Sequence, residues 1–240
     1  MRINILTVWK GQKKMIEINM KYYIIKNDFK EHGAPALLNA VLAEKFDINN
    51  PMPSMTGYSW TKSKDLDIEF PDELFLITKD KFYDFNYNIF WKGFVISEQF
   101  KVFIDRYLLE YKKVNLKVIN HKGKEISNKK YYFIYIPMKN RIDNINYASS
   151  EFTLDDSILK LRGLSEEEIK KDNNYFGNIK EYKSLVINNT NKFEIFQVKD
   201  LIVQDLICSS KFKEDLYNHE VSKIVFIDTS DMNDFNNYYL

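Results

Sequence analysis

Residues 94–103 read FVISEQFKVF and residues 206–215 read LICSSKFKED. In each, an apolar run meets a serine, Ser97 or Ser209, and a Phe-Lys pair follows three residues later. A serine at such a junction suits a helix N-cap, because its hydroxyl accepts a bond from an orphan backbone N–H of the first turn. Each stretch then leads to a second apolar run, VNLKVI at 114–119 and SKIVFI at 222–227. Both therefore read as strand, cap, helix, strand. That makes the expected fold α+β: a mixed, mostly antiparallel sheet covered by a few helices, with a strand-helix-strand unit present twice.

The rest of the chain fits around that unit. IEINMKYYIIK at 16–26 and LFLIT at 74–78 read as strands, and KFYDFNYNIF as a further one with aromatic alternation. VNLKVIN and KKYYFIYI read as a hairpin joined through Gly123. YKSLVIN, KFEIFQV and LIVQDLIC supply later strands. PALLNAVLAEKF, with Pro35 at its start and apolar residues at 37, 38, 41, 42 and 46, has helical spacing. The helix after Ser97 is expected to reach about Glu110, with Phe100, Phe103, Ile104, Tyr107 and Leu108 inward. Residues 47–64 read as a long surface loop, and Ser165 followed by three glutamates as a helix start. One domain over residues 1–240 is expected, with 1–19 an extension if translation starts at Met20, and 228–240 a polar tail.

Composition narrows the function classes. With 45% hydrophobic residues there is ample core material, and 35 basic against 34 acidic residues leave a net charge of +1. That balance gives no bulk attraction to nucleic acid or to an anionic membrane. Arginine, the usual choice for bidentate phosphate and base contacts, occurs only at Arg2, Arg106, Arg141 and Arg162. Cys208, the single cysteine, sits in an apolar run and reads as a core residue. The N-terminus lacks the apolar run of a signal peptide, and no window approaches eighteen consecutive apolar residues. A cytoplasmic location with no membrane contact is the expectation.

Catalytic patterns are missing. His32, His121 and His219 lie far apart, and no paired-ligand spacing suggests a metal. Neither a phosphate-binding glycine loop nor a nucleophile elbow is present. Acidic pairs (Asp155-Asp156, Asp228 with Asp231) keep a metal-dependent nuclease open as the alternative.

Two charge features stand out. DLDIEFPDE at 65–73 holds Asp65, Asp67, Glu69, Asp72 and Glu73 without a base. In an extended backbone the first three share one face at roughly 6.5–7 Å spacing, opposite Leu66, Ile68 and Phe70. This reads either as a charged edge strand that discourages sheet pairing or as a partner-binding strip. The stretch 112–130 is its opposite, with seven lysines against Glu125 and Tyr131-Tyr132 adjoining. That pattern keeps a nucleic-acid-binding module as a further alternative.

Several stretches in order carry a family resemblance: MKYYIIKND, GAPALLNAVLAEKFD, FPDELFLITKDKFYDF, FVISEQFKVFI, KKYYFIYIPMKNRIDNINYASSEF and FEIFQVKDLIVQDLICSSKFKEDL. Together they resemble the immunity proteins of bacterial polymorphic toxin systems, the related families numbered forty-three and eleven, over roughly residues 20–230. One departure is Asn146, where the family pattern leads one to expect an aspartate between Asp143 and Ser150-Glu151-Phe152. Asn retains an Asx-type turn if that position is structural. The resemblance implies a non-enzymatic inhibitor, without cofactor, that binds a cognate toxin domain. Many such toxins are nucleases with basic clefts, for which the carboxylate strip is a sensible counterpart. Trp60 and Trp91 are the candidate aromatic anchors, and Asp228, Asp231 and Asp234 a second acidic candidate. The expected state is a monomer or weak dimer.

Overall fold

The computed structural model describes residues 20–53, 69–157, 160, 163, 165, 168, 179–188, 193–199 and 203–237. Asp65, Asp67 and Trp60, the possible extension 1–19 with the start of the strand expected at 16–26, and most of the 47–64 loop lie outside these residues.

The protein is α+β, with strands predominating. Its larger sheet holds β2 (Ala40–Ala43), β3 (Glu73–Thr78), β6 (Lys112–Asn120), β7 (Tyr131–Tyr135), β5 (Gly93–Ser97) and β4 (Tyr87–Phe90), in that spatial order. All pairs are antiparallel except β3 with β6. A second, antiparallel sheet runs β10 (Ile195–Gln197), β11 (Leu206–Ser209), β1 (Tyr22–Asn27) and β12 (Ile224–Asp228). β8 (Glu151–Leu154) and β9 (Ile179–Ser184) form a separate ribbon.

The helices α1 (Glu98–Ile104), α2 (Ser210–Asn218) and α3 (Asn233–Asn237) accompany the sheets. Phe100, Phe103 and Ile104 of α1, with Phe212 and Leu216 of α2, join residues of both large sheets in one buried cluster. The hairpin across Gly123 forms as expected, with that glycine at φ +77°.

Both opening stretches adopt the same local arrangement, hydrogen bond for hydrogen bond. Ser97 Oγ accepts from Phe100 N–H at 3.1 Å, and Ser209 Oγ from Phe212 N–H at 3.2 Å. Each serine N–H donates to the carbonyl of the residue just before the preceding strand, Asn86 at 3.0 Å and Glu194 at 2.9 Å. Each hydroxyl donates to that same residue's side chain. The next N–H donates to a lysine carbonyl, Glu98 to Lys130 at 2.9 Å and Ser210 to Lys21 at 3.0 Å. Those lysines open Lys130-Tyr131-Tyr132 and Lys21-Tyr22-Tyr23, and the cap serines sit in register opposite Tyr131 and Tyr22. So β4-β5-β7-β6 and β10-β11-β1-β12 share strand order and directions, and each antiparallel insert begins Lys-Tyr-Tyr.

Some expectations fail for identifiable reasons. PALLNAVLAEKF is not a helix. The Pro35 carbonyl accepts from Asn27 and Asn88 side-chain amides at 2.7 and 2.8 Å, so it is already engaged where a helix would use it. Ala40–Ala43 then pair with β3, and Leu37 is 68% exposed. α1 ends at Ile104, short of Glu110, because Tyr107 turns back against Phe103 and Phe212 at 5.4 and 4.8 Å and donates to Asp215 at 2.9 Å. That geometry throws Leu108 outward to 76% exposure. Of KFYDFNYNIF, only Tyr87–Phe90 is strand.

Within the polar tail, residues 229–235 are tied to the fold. Thr229 N–H donates to Tyr22 O and Met232 N–H to Lys183 O, and Met232 and Phe235 are buried. At Ser165 the expected cap is reciprocal: Ser165 N–H and Oγ donate to the Glu168 carboxylate, and Glu168 N–H donates back to Ser165 Oγ.

Candidate functional site

The described end of the acidic stretch is strand only at its last residue, Glu73. Glu69 and Asp72 are exposed in the connection entering β3, which begins at Glu73. Phe70 anchors this connection, meeting Phe133 edge-on at 5.8 Å. Because β3 runs parallel to β6, Glu73 lies opposite Asn115, between Lys113 and Lys117. One groove is lined by Phe70, Asp72, Lys112, Lys113 and Asn115, and the next brings Glu73 and Glu125 beside Lys117, Lys129 and Lys130. The described end of the acidic stretch and the lysine-rich stretch are therefore neighbours in space.

The lysine-rich stretch is correspondingly tied into the fold. Lys129 pairs with Asp84 at 2.6 Å and Lys130 with Glu98 at 3.3 Å. Partial burial raises the Asp84 carboxyl, but its hydrogen bonds and charge contacts with Lys129 and Lys223 outweigh that and hold it below its usual range. The Lys130 hydrogen bond, aided by the Tyr132 hydroxyl, lowers Glu98. Lys101, Lys113 and Lys130 lie 5.7, 5.7 and 5.3 Å from the Tyr132 ring centroid. The result is a mosaic of both signs. Such a surface selects partners by complementarity more than by bulk attraction.

Trp91, the described aromatic candidate, forms with Lys92 the two-residue turn between β4 and β5, at φ +56°. Its indole is half-buried and packs against the core of the larger sheet. It stands apart from the acidic stretch, across the β5, β7 and β6 strands.

Three of the other candidate acids serve local turns. Asp228 accepts from Ser230, Asp231 from Asn233, and Asp155 from Ser157. Among the described residues no group of three or more His, Cys, Asp or Glu gathers as a metal site would need. Cys208 is fully buried, and that burial pushes its thiol well above the ordinary range, away from thiolate chemistry. Asn146, where the resemblance leads one to expect aspartate, forms a turn: its side chain accepts from Ser149 N–H at 3.2 Å. Among the described residues no helix is long and apolar enough to cross a membrane.

Sequence reasoning missed a buried ion pair. Lys26 Nζ and Asp205 Oδ2 lie 2.6 Å apart, each side chain 3% exposed or less. Burial pushes Asp205 up to about 6 against the pull of Lys26 and Tyr87, and burial likewise lowers Lys26. No local pattern marks such a pair, because its members are far apart in sequence.

This is an α+β fold whose described surface mixes both charge signs. The chain belongs to the Immunity protein 43 family, whose sequence model matches residues 26–240. The family's general role is the neutralisation of toxin proteins. A comparison with curated proteins gives no match.

Proposed function

We propose that the chain is a non-enzymatic immunity protein that binds one cognate bacterial toxin domain in the producer's cytoplasm and masks its active or substrate-binding site. The observation that carries this reading is the family match over residues 26–240. A blocker of this kind needs no cofactor and no catalytic group. It needs roughly 800 Å² of complementary surface and a few buried anchors.

The surface proposed for this contact comprises Asp65, Asp67, Glu69, Asp72 and Glu73 with Trp60 and Trp91. The exposure of Glu69, Asp72 and Glu73 supports it. A nuclease toxin with a basic cleft is the partner chemistry that the carboxylates suit. The chain works as one domain, monomeric or weakly dimeric. Co-expression with the toxin domain encoded beside it tests the reading: survival of the host and a co-purifying complex are expected. Continued toxicity with no complex overturns it.

A further inference from the structure

The likeness of β4-β5-β7-β6 to β10-β11-β1-β12 extends past the two serine caps, and it is specific to particular residues. Phe100 and Phe212, three residues after each cap, are both fully buried in the shared core. So are Ile104 and Leu216, one helical turn further on. Lys101 and Lys213 follow the two phenylalanines, and each ammonium lies over the second tyrosine of the matching Lys-Tyr-Tyr. Lys101 Nζ is 5.7 Å from the Tyr132 ring, and Lys213 Nζ is 3.9 Å from the Tyr23 ring. Serine caps and hairpin-like strand orders arise readily by themselves. Neither requires a lysine on the same ring in both places.

Differences between the two sets fall in the connections. Ser97 opposite Tyr131 matches Ser209 opposite Tyr22, so β5 and β11 run in step against their inserts. Residues 91–92 join β4 to β5, against 198–205 from β10 to β11. The chain order β4, β5, α1, β6 repeats as β10, β11, α2, β12. Only the inserted strand breaks it. β7 follows β6 through the hairpin at Gly123, whereas β1 precedes all the strands it pairs with. Yet the end of β12 lies beside the start of β1, where Thr229 N–H donates to Tyr22 O at 3.1 Å. A connection like the one from β6 to β7 would join them there.

One cross-strand pair shows how the two sets diverge. Continuing the β1–β11 register from Ile24 opposite Ile207 sets Lys26 opposite Asp205, the buried ion pair. Continuing β5–β7 from Phe94 opposite Ile134 sets Tyr135, equally buried, opposite Gly93. A Cβ at Gly93 would meet Ile134 O at 2.3 Å and the Phe133 ring at 2.7 Å, so only glycine fits there. Tyrosine beside glycine in one set answers lysine beside aspartate in the other.

We propose that the two sheets are built on two copies of one strand-strand-helix-strand-strand unit, and that the second copy is circularly permuted, with β1 as its displaced final strand. β2, β3 and the β8–β9 ribbon are additions outside that unit. The proposal stands independently of the immunity reading.

Two measurements test it. In the first, the tyrosine–glycine pair is built into the second copy. Lys26→Tyr alone leaves the Asp205 carboxylate buried without its cation and is expected to lower the urea midpoint. Lys26→Tyr with Asp205→Gly is expected to regain more than half of that loss, and to stand above Lys26→Tyr with Asp205→Leu. Glycine weakens strands and packs nothing, so only a site shaped for tyrosine beside glycine puts it ahead of leucine. Glycine level with leucine or below it, or no recovery with either, overturns the duplication.

In the second, the full chain is opened between Phe29 and Lys30, both exposed, and residue 240 is joined to Met1, so that residues 1–19 become the connection into β1. β1 then follows β12 in the chain as β7 follows β6. Opening at an exposed turn is expected to leave the fold intact, with Tm within about ten degrees of wild type and cross-strand amide contacts between β1 and both β11 and β12 preserved. A permuted chain that does not fold, or that folds without those contacts, overturns the assignment of β1 to the end of the second copy.

Discussion

Phe103 of α1 and Phe212 of α2 meet edge to face, with ring centroids 5.1 Å apart. The two helices begin at equivalent serine caps in the two large sheets, so this contact joins the sheets through one core. Tyr107 wedges against both rings. Phe103→Ala and Phe212→Ala are each expected to destabilise the fold by about 3–5 kcal/mol. Because the rings touch, the double variant should lose less than the sum of the singles. Urea unfolding of the four proteins checks this, and strict additivity would show that the rings do not support each other.

Ser97→Ala and Ser209→Ala are expected to cost similar amounts, about 1–2 kcal/mol each. Each change orphans one helix N–H and withdraws a donor from Asn86 or Glu194. The denaturation midpoint should fall with m unchanged, and toxin affinity should stay at the wild-type value. Loss of affinity at full stability would move the caps from scaffold to interface.

The Lys26–Asp205 pair is buried, so removing the lysine strands the carboxylate. Lys26→Met is expected to cost about 3–5 kcal/mol, and Lys26→Met with Asp205→Leu to recover most of that loss. The pair also sets a pH signature. The folded Asp205 carboxyl titrates near 6, above its ordinary 3.8, so the folded state binds that proton more tightly than the unfolded one. Its contribution to stability is therefore fully present below about pH 4 and is lost as the pH rises through about 6. Relative to Asp205→Asn, wild-type protein should gain stability as the pH falls from about 7 to 4. Asp84, held below its usual value, works in the opposite sense, and its contribution is lost only as the pH falls below about 4. Parallel stability curves for wild type and Asp205→Asn across pH 4–7 would contradict the assignment.

Charge reversal of the acidic stretch, Asp65→Lys with Asp67→Lys and Glu69→Lys, is expected to leave stability within about 0.5 kcal/mol if these positions are exposed. Association with a basic toxin cleft should slow by about tenfold or more at low salt, with the difference shrinking as salt is raised. Stopped-flow association at two ionic strengths reads both effects. An unchanged rate removes this stretch from the interface.

Much of the fold was legible. Ser97 and Ser209 marked both helix starts, and the apolar runs LFLIT, VNLKVI and SKIVFI marked β3, β6 and β12, because caps and strand propensity act locally. What escaped depended on distant partners. Ala40–Ala43 looks helical until Asn27 and Asn88 take the Pro35 carbonyl and β3 offers its edge. Met232 and Phe235 looked like parts of a polar tail because single apolar residues carry no period, yet Tyr22 and Lys183 carbonyls fix the backbone that buries them. Lys21 and Lys130 each precede a Tyr-Tyr pair, a likeness that gains meaning only when the cap serines are seen paired against both strands.

The candidate site was less legible for the same reason. The acidic and basic stretches were visible separately. Their adjacency follows from the parallel β3–β6 pairing, which no local pattern announces. Trp91 was visible as an aromatic near a loop, whereas its packing against the core of the larger sheet depends on strands distant in sequence and carried no local signal.

The most direct test of the central claim is co-expression of the full chain with the toxin domain encoded beside it, scoring host survival and recovery of a complex. The account predicts rescue together with a stable heterodimer in which toxin activity is suppressed. Unrelieved toxicity, with the two proteins eluting separately, would contradict it.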